Sequence, residues 1–349
     1  MPAPVSIVIP SWNGRHLLER FLPSVVEAAA WYAHHDHGAV EILVVDDGST
    51  DGTDVWIGGV ANSAPVPIKT VRHVENLGFG AAANRGFADA THPLVWLLNN
   101  DIDVSIDGVL ALARRFEGAG DELLAAHSKM VDLASHQPVG TGKMCGFARG
   151  FLRVHRSFVS RGRATSPFWS AFATGGSAMF RRDLFLALGG FDPLFAPFYL
   201  EDVELSYRAW KRGYRVCYEP RSVVRHQFSS TIGAQPAVRI ERVSQRNRLL
   251  LHWIHLHDAA FLRAHVCWTA LLLITRPLSW KLGFVAGFAD AVRLLPEART
   301  RRRRERQLAK RSDREVLQVF VDQAAAGGIR SYDDPRELEP DVLAEIWQE

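Results

Sequence analysis

The sequence predicts an α/β protein built on a mostly parallel sheet, and three observations support this prediction. Short apolar runs alternate with segments of helical spacing over the first hundred residues, which is the pattern of a parallel sheet with crossover helices. Each apolar run ends in a cluster of polar residues. The chain has 349 residues, of which 47% are hydrophobic and 23% charged, so it can bury a large core in one large domain with an extension, or in two domains.

The predicted elements follow one another in a regular order. The predicted strands are Val5–Ile9, Glu41–Val45, Val71–Val74 and Leu94–Leu98. Helical spacing covers Leu17–Tyr32, the region after Asp54, and Asn84–Ala90. In parallel sheets, ligands bind beyond the carboxyl ends of the strands. The polar clusters 10-PSWNG, 46-DDGSTDGT and 99-NNDID all fall at such ends, which is a functional signal.

The pattern is less regular after residue 130. Residues 135–149 are rich in Gly and polar residues, which favours a flexible loop over a site. Order returns at 174-TGGSAMFRRDLFLALGGFD and 198-FYLEDVELSYRAWKRGYRV, and 223-VVRH resembles a strand. We predict a catalytic domain over residues 1–248, an amphipathic and basic helical region that associates with membranes over 249–312, and an acidic helical tail over 313–349.

The amphipathic region is predicted from its composition. Residues 249–295 are apolar and aromatic, and the longest uncharged run is 264–275, which is about 18 Å of helix. A spanning helix needs about 20 apolar residues, so helices that are buried or lie on a membrane are favoured. The basic run 299-RTRRRRERQLAKR-311 follows.

Charge and cysteine usage exclude several classes of protein. The net charge of +3 is not that of an obvious nucleic-acid binder. Cys145, Cys217 and Cys267 are odd in number and far apart, so neither a zinc site nor a disulfide framework is supported and a reducing compartment is expected. The N-terminal residues lack the basic and long apolar regions of a signal peptide, and none is expected.

Each polar motif has a structural and a functional interpretation. Asp47 and its neighbours are good turn formers, and a carboxylate there can also bind a nucleobase N–H. The Gly-x-Gly of 76-NLGFG makes either a tight turn or a close backbone approach to a ligand. The run 99-NNDID is either a polar loop or a set of oxygen ligands for Mg²⁺ or Mn²⁺.

Two further motifs have the same ambiguity. Glu201 and Asp202 open a helix, where acidic residues are ordinary, yet two adjacent carboxylates behind an aromatic approach suggest a general base. The helix dipole is expected to lower their pKa values, so position rather than a raised pKa would matter. His226 at the end of 223-VVRH is either structural or a ligand for a metal or diphosphate.

In their order, these motifs resemble the glycosyltransferase family 2 enzymes with a GT-A fold. The resemblance is carried by 5-VSIVIPSWNG, 43-LVVDDGSTDGT, 76-NLGFGAAANRGF, 97-LLNNDIDV, 174-TGGSAMFRRDLFLALGGFD, 198-FYLEDVELSYRAWKRGYRV and 226-HQFSST. It covers roughly residues 4–250 and is nearest to the bacterial branch of rhamnosyl- and galactofuranosyltransferases.

The resemblance implies a role for each matching position. Asp202 would be the catalytic base with Glu201 beside it, and Asp101 and His226 would hold Mg²⁺ or Mn²⁺. The acceptor site would be bordered by Gly175, Gly176 and Glu204. The implied donor-binding residues are Pro10, Ser11, Asn13, Asp47, Asn76, Gly78, Asn84, Asn99 and Asn100. The family's metal motif is usually Asp-x-Asp, whereas Asn99 occupies its first position here, and Asp103 falls two residues after Asp101.

The implied activity is inverting transfer of a sugar from a nucleoside diphosphate to a hydroxyl of a glycan or polyprenyl-linked glycan in cell-envelope polysaccharide synthesis. Deoxythymidine-diphosphate rhamnose is the leading donor by resemblance; UDP-linked sugars stay open. An anionic membrane surface, and no nucleic acid, is the expected macromolecular partner, with the enzyme peripheral on the cytoplasmic face of the membrane. Two alternative functions stay open. One is a catalytically silent nucleotide- or glycan-binding protein on the same fold. The other is a sugar nucleotidyltransferase, but such an enzyme would need a Gly-rich phosphate loop with a basic residue after the first strand, and 10-PSWNGR does not have that form.

Overall fold

The computed structural model describes residues 3–35, 38–154, 156–160, 168–227, 236–278, 280 and 282–333. Its strands are β1 Val5–Ser11, β2 Val40–Asp46, β3 Ile68–Arg72, β4 Leu94–Leu98, β5 Ile102–Val104, β6 Leu123–Asp132, β7 Pro138–Gly140, β8 Gly142–Lys143, β9 Gly146–Ala148, β10 Phe151–Arg153, β11 Ser157–Ser160, β12 Phe168–Trp169, β13 Ser177–Arg181, β14 Arg215–His226 and β15 Ile329–Tyr332. Its helices are α1 Arg15–His34, α2 Thr53–Ala61, α3 Phe79–Asp89, α4 Gly108–Ala113, α5 Arg182–Leu188, α6 Glu201–Lys211, α7 Ala237–His255, α8 Ala259–Leu278, α9 Leu282–Arg293, α10 Leu295–Leu308 and α11 Asp313–Ala325.

The main sheet has the order β12-β14-β6-β13-β4-β1-β2-β3, with β5 on β14 and β7 on β6. Strands β1, β2, β3 and β4 are parallel, whereas β13 runs antiparallel to both β4 and β6. The predicted α/β fold with a mostly parallel sheet is therefore confirmed. The carboxyl ends of the parallel strands bring the three polar clusters to one edge.

Both faces of the sheet are buried, as the continuous apolar strands predict. On one face, β1 packs Ile7 and Ile9 against α1 through Leu18. On the other face, Val8 packs against α3 through Phe87, whose ring stacks on that of Phe185 with 3.6 Å between centroids. Each such fully buried side chain contributes roughly 1.5–3 kcal/mol.

Two elements differ from the sequence prediction. The third strand was predicted over Val71–Val74 and lies at β3, while Val74 is fully exposed. Residues 135–149 were predicted as a flexible loop and instead contain the short strands β7, β8 and β9. Gly140 is buried where β7 pairs with β6, and the buried Thr141 has its Oγ1 2.8 Å from the Tyr332 hydroxyl.

The C-terminal helices pack onto the rest of the chain to different extents. Helix α7 and helix α11 share an apolar core with α6, formed by Trp210, Leu250, Val316 and Phe320. Helix α8 is mostly unburied, and among the described residues it is long and apolar enough by composition to cross a membrane. The proposed division at residue 248 stays a prediction, and residues 334–349 of the acidic tail lie outside the described residues.

Candidate active site

The ends of β1 and β4 carry a connected group of predicted donor-binding residues. Pro10 and Ser11 close β1, where Ser11 pairs with Asp46 of β2. The amide Nδ2 of Asn100 donates a hydrogen bond of 2.9 Å to Ser11 Oγ. Asn13 accepts a 2.8 Å bond from the Thr50 N–H through its Oδ1. The structure thus brings the first and third polar clusters together and ties both to the second.

Asp47 organises the glycine loop that follows β3. Its carboxylate accepts hydrogen bonds from the N–H groups of Leu77 at 3.0 Å and Gly78 at 2.8 Å, and its Oδ1 lies 2.7 Å from His73 Nδ1. Gly78 has φ +90°, a conformation that favours glycine. Asp47 therefore fixes the backbone of the 75–78 loop, which includes Asn76. His73 is a member of this cluster that the sequence analysis missed.

Asn84 makes internal contacts in the structure. Its Nδ2 donates to the Phe191 carbonyl at 2.9 Å, and its Oδ1 accepts from the Phe191 N–H at 2.8 Å. Both ends of the amide are therefore engaged with the loop after α5. Asn84 therefore links α3 to that loop. Its predicted contact with the donor stays a prediction.

Asp101 and His226 lie together because β5 pairs antiparallel with the end of β14. His226 Nε2 is 3.0 Å from Asp101 Oδ1, and both side chains are about nine-tenths buried. Asp103, two residues further along the chain, instead accepts a 3.1 Å hydrogen bond from the guanidinium of Arg225. Residues 228–231 of the motif that begins at His226 lie outside the described residues.

This pair is a suitable donor set for a divalent cation. An imidazole nitrogen and a carboxylate oxygen both bind Mn²⁺, and the carboxylate also binds Mg²⁺. The described ranges contain no group of three or more His, Cys, Asp or Glu residues that could hold a metal alone. Two protein ligands leave coordination positions for phosphate oxygens, which fits a cation that is shared with a diphosphate.

Glu201 and Asp202 open α6 after an unusual stretch of backbone. Tyr199 and Leu200 have φ of 70° and 71°, and two successive non-glycine residues in this region are strained. The N–H of Gly175 donates a 3.1 Å hydrogen bond to Asp202 Oδ2. The carboxylate pair is therefore held against the 174–176 loop.

The glycines of that loop permit close contact with both sides of the site. A Cβ on Gly176 would lie 2.9 Å from Asn99 Nδ2, and a Cβ on Gly175 would lie 3.5 Å from the Cβ of Asp202. The Asn99 N–H also donates a 2.9 Å hydrogen bond to the Gly176 carbonyl. Through Gly175 and Gly176, the carboxylates of α6 are thus joined to the end of β4 that leads to Asp101.

The prediction that the helix terminus lowers the pKa values of these carboxyls is wrong. Burial, with the neighbouring Asp202 charge, raises the pKa of Glu201 to about 8. Burial also raises the pKa of Asp202, although hydrogen bonds from the Gly175 and Val203 N–H groups oppose the rise. Two adjacent buried carboxyls resist double ionisation, so the pair as a whole holds on to a proton more tightly than two separate carboxyls would.

Glu204 lies in the interior of the protein. It is 2% exposed, pairs with Arg208 at 2.9 Å, and has its Oε1 2.8 Å from His255 Nε2. These contacts lie one turn behind the carboxylate pair. The structure does not bring Glu204 together with the other predicted site residues, so its predicted contact with the acceptor has no support in this arrangement.

The C-terminal helices anchor the rest of α6, which the sequence analysis missed. Asp313 is fully buried and accepts hydrogen bonds from Tyr207 at 2.8 Å and Lys211 at 2.7 Å. Arg212, just past the helix, pairs with Glu305 of α10 at 2.6 Å. Only a weak sequence signal exists for these contacts, namely charged residues in otherwise apolar surroundings.

The fold and the site define a class of protein. The architecture is shared with solved glycosyltransferase structures, including GalNAc-T7 with UDP, GalNAc and Mn²⁺ (TM-score 0.64, 16% identity, 93% of this chain and 58% of that one). Another is the mannosyltransferase PcManGT of Pyrobaculum calidifontis with GDP-Man and Mn²⁺ (TM-score 0.52, 19% identity, 93% and 87%). The TarS structure of S. aureus in complex with UDP-GlcNAc is a third (TM-score 0.52, 13% identity, 93% and 92%). The fold is therefore that of the GT-A glycosyltransferases.

Sequence comparison gives the family. The model of glycosyl transferase family 2 matches residues 6–189, and that of glycosyl transferase family group 2 matches residues 101–295. The chain belongs to glycosyl transferase family 2. The N-acetylglucosaminyl-diphospho-decaprenol L-rhamnosyltransferase of Mycobacterium tuberculosis is 28% identical over 281 residues, covering 73% of this chain and 85% of that protein. A putative polypeptide N-acetylgalactosaminyltransferase 13 of Drosophila melanogaster is 27% identical over 248 residues. That match covers 65% of this chain and 43% of the Drosophila protein.

Proposed function

We propose that this glycosyltransferase moves a sugar, with inversion, from a nucleoside diphosphate to a hydroxyl of a polyprenyl-linked glycan. The observation that carries the proposal is the joining of two carboxylate sites through Gly175 and Gly176. One site is the Asp101–His226 pair at the strand ends, and the other is the Glu201–Asp202 pair. A donor diphosphate at the first and an acceptor hydroxyl at the second would meet over the glycine loop.

The donor end combines the strand-end polar residues with the cation ligands. Ser11, Asn13 and Asn100 would line the nucleotide pocket, and Asp47 would shape its loop while facing the base. Asp101 and His226 would hold Mg²⁺ or Mn²⁺. That cation would neutralise charge on the departing diphosphate. Rhamnose is our leading donor sugar, supported by the mycobacterial relative's name, and deoxythymidine diphosphate is the leading nucleotide by family resemblance.

The acceptor end supplies the base. Burial raises the pKa of Asp202, and a base with a raised pKa accepts a proton more readily. The acceptor hydroxyl gives its proton to Asp202 and its oxygen forms the new bond to the anomeric carbon. The bond from that carbon to the diphosphate breaks on the opposite face, which inverts the centre. Thr174 Oγ1 and Glu201 Oε2, both buried, have no hydrogen-bond partner in the described part of the chain, and such groups are common at functional sites.

A lipid-linked acceptor fits the exposed surface of α8. Its apolar side chains Ile274 and Leu278 are 66% and 79% exposed, and Trp280 beyond it is 88% exposed. The arginines of α10 have two kinds of environment. Arg301 forms an ion pair with Asp192 within the protein. The side chains exposed to solvent include Arg303, Arg304 and Arg306. We propose that the 249–312 region rests on the anionic inner face of the cell membrane through α8 and these exposed arginines.

The test is a thermal-shift screen of nucleotide sugars, each with Mg²⁺, Mn²⁺ or EDTA. A ligand that binds only the folded protein raises the midpoint by mass action. A shift with one nucleotide sugar that EDTA abolishes is the expected result. The matched control is the Asp101→Asn protein, which should keep its own midpoint and lose the metal-dependent part of the shift. Well-folded protein that no nucleotide sugar shifts, with or without lipid acceptor, would favour the silent binding protein.

A further inference from the structure

A buried side chain from a distant helix makes several hydrogen bonds to the loop that leads into the carboxylate pair. Asn247 lies inside α7 and is fully buried. Its Nδ2 lies 2.7 Å from the Phe195 carbonyl oxygen, 3.1 Å from that of Phe198 and 2.8 Å from that of Tyr199. One amide nitrogen, with two hydrogens, therefore serves three carbonyls of the segment that immediately precedes Glu201.

The backbone of residues 195–200 is strained, so we expect it to change conformation when the hydrogen bonds from Asn247 are lost. Tyr199 and Leu200 are in the left-handed region, which costs of order 1–3 kcal/mol for each non-glycine residue. Leu200, the N-cap residue of α6, makes no side-chain capping hydrogen bond. The Asn247 amide is thus a main source of hydrogen bonds that hold the strained backbone, together with Arg246, which donates to the Ala196 carbonyl.

The remainder of α6 is anchored independently. Glu204 contacts His255 at 2.8 Å, and Lys211 contacts Asp313 at 2.7 Å. These contacts keep the helix in place when the 195–200 segment moves. Loss of the Asn247 amide should therefore displace the first turn of α6, where Glu201 and Asp202 lie, rather than unseat the whole helix.

We propose that Asn247 is a positioning residue for the transfer reaction: by holding the 195–200 backbone, it aims the Asp202 carboxylate at the acceptor oxygen. Because Asn247 is fully buried, it would act through the backbone that it holds and not by contact with a substrate. The inference deepens the proposed function and rests on Asp202 being the base. A displaced base reduces turnover far more than donor affinity, because the donor residues lie on other elements.

The experiment measures kcat, the donor KM and the thermal midpoint of full-length Asn247→Ala. Misplacement of a reacting group by about 1 Å costs up to about 100-fold, so we expect kcat to fall roughly 10- to 100-fold with the donor KM changed less than about threefold. Asn247→Ser keeps one donor and should recover part of kcat. It also carries the test if the alanine protein does not fold.

Two further proteins separate positioning from stability. Gln323→Ala is the matched control. The side-chain amide of Gln323, in helix α11, likewise hydrogen-bonds backbone groups, namely the N–H and carbonyl of Trp169 at 2.6 and 3.0 Å. It should lower the midpoint and leave kcat unchanged. Leu200→Gly added to Asn247→Ala removes backbone strain, and should raise the midpoint while kcat stays low.

Several results would overturn the inference. A kcat within about twofold of wild type in Asn247→Ala and Asn247→Ser would do so. Recovery of kcat together with the midpoint in the Leu200→Gly double variant would reduce Asn247 to a stability residue. A different result would contradict the proposed function itself: the Asp202→Asn protein would then keep full turnover.

Discussion

Replacement of Glu201 by Gln should stabilise the protein, and more so as the pH rises. In the folded protein, burial and the neighbouring Asp202 charge raise the pKa of Glu201 from 4.5 to about 8. The unfolded chain therefore releases this proton at lower pH than the folded protein does. Between the two pKa values the folded state holds more protons, so stability falls as the pH rises through that window. Gln has no proton to release and escapes this loss.

The magnitude follows from the displacement of the pKa. Each unit corresponds to about 1.4 kcal/mol, so the full displacement corresponds to an upper bound of about 5 kcal/mol, and relaxation of the protein and entry of water around the buried carboxyl reduce the expected effect to about 2 kcal/mol. Urea unfolding at about pH 5 and about pH 8 measures it, as the change in the free energy of unfolding between variant and wild type. The variant's advantage should grow by about 2 kcal/mol between the two.

The matched control is Glu19→Gln, which changes an exposed carboxylate paired with Arg15. Its effect on the free energy of unfolding should be small and equal at both pH values, because an exposed ion pair contributes little. A Glu201→Gln advantage that is the same at both pH values would refute the reasoning, since the carboxyl would then titrate in the folded protein as it does in the unfolded chain.

Three other predictions concern the metal, the anchoring of α6 and the membrane. Asn99→Asp should strengthen Mn²⁺ binding by a few-fold because it adds a carboxylate beside Asp101, as calorimetry can measure; unchanged affinity would place that side chain outside the coordination sphere. Lys211→Met should cost about 3 kcal/mol in urea unfolding because it leaves Asp313 buried without its cation, against less than about 0.5 kcal/mol for Arg85→Met in an exposed pair; equal costs would argue against a buried bridge. Leu278→Asp should reduce sedimentation with anionic vesicles several-fold while leaving the midpoint unchanged, whereas a lowered midpoint with unchanged sedimentation would mean that α8 packs on protein.

Much of the α/β fold was predictable from local pattern. Strands buried on both faces are continuous apolar runs, and β1, β2 and β4 were predicted close to their observed positions. The third strand was misplaced because Val71 and Val74 are β-branched, yet β3 is an edge strand that exposes Lys69 and Thr70. The pattern of this strand carries less information, because Ile68 is the one buried residue among its five.

The candidate site was predictable to the extent that it follows strand and helix ends. Asp101 and His226 are far apart in sequence, and their 3.0 Å contact requires the β5–β14 pairing, which local pattern does not indicate. The raised pKa of Glu201 was missed because it depends on burial by the tertiary fold, which outweighs the helix dipole.

Contacts from the C-terminal helices were missed for a related reason. An asparagine inside a helix is a poor helix former, and Asn247 stands out in α7 only on that ground. Its partners are backbone carbonyls about 50 residues away, and backbone acceptors leave no trace in the sequence. The same holds for the two backbone N–H groups, of His257 and Asp258, that bond Asp313.

The central claim is that Asp202 accepts the acceptor's proton in a transfer from a nucleotide sugar. Its most direct test is release of nucleoside diphosphate by wild type and Asp202→Asn, with deoxythymidine-diphosphate rhamnose or a UDP-sugar and polyprenyl-diphosphate N-acetylglucosamine as acceptor. We predict that acceptor-dependent release falls by at least about 100-fold in the variant, while its thermal shift with the donor is retained. Equal turnover by the two proteins would contradict the assignment of Asp202 as the base.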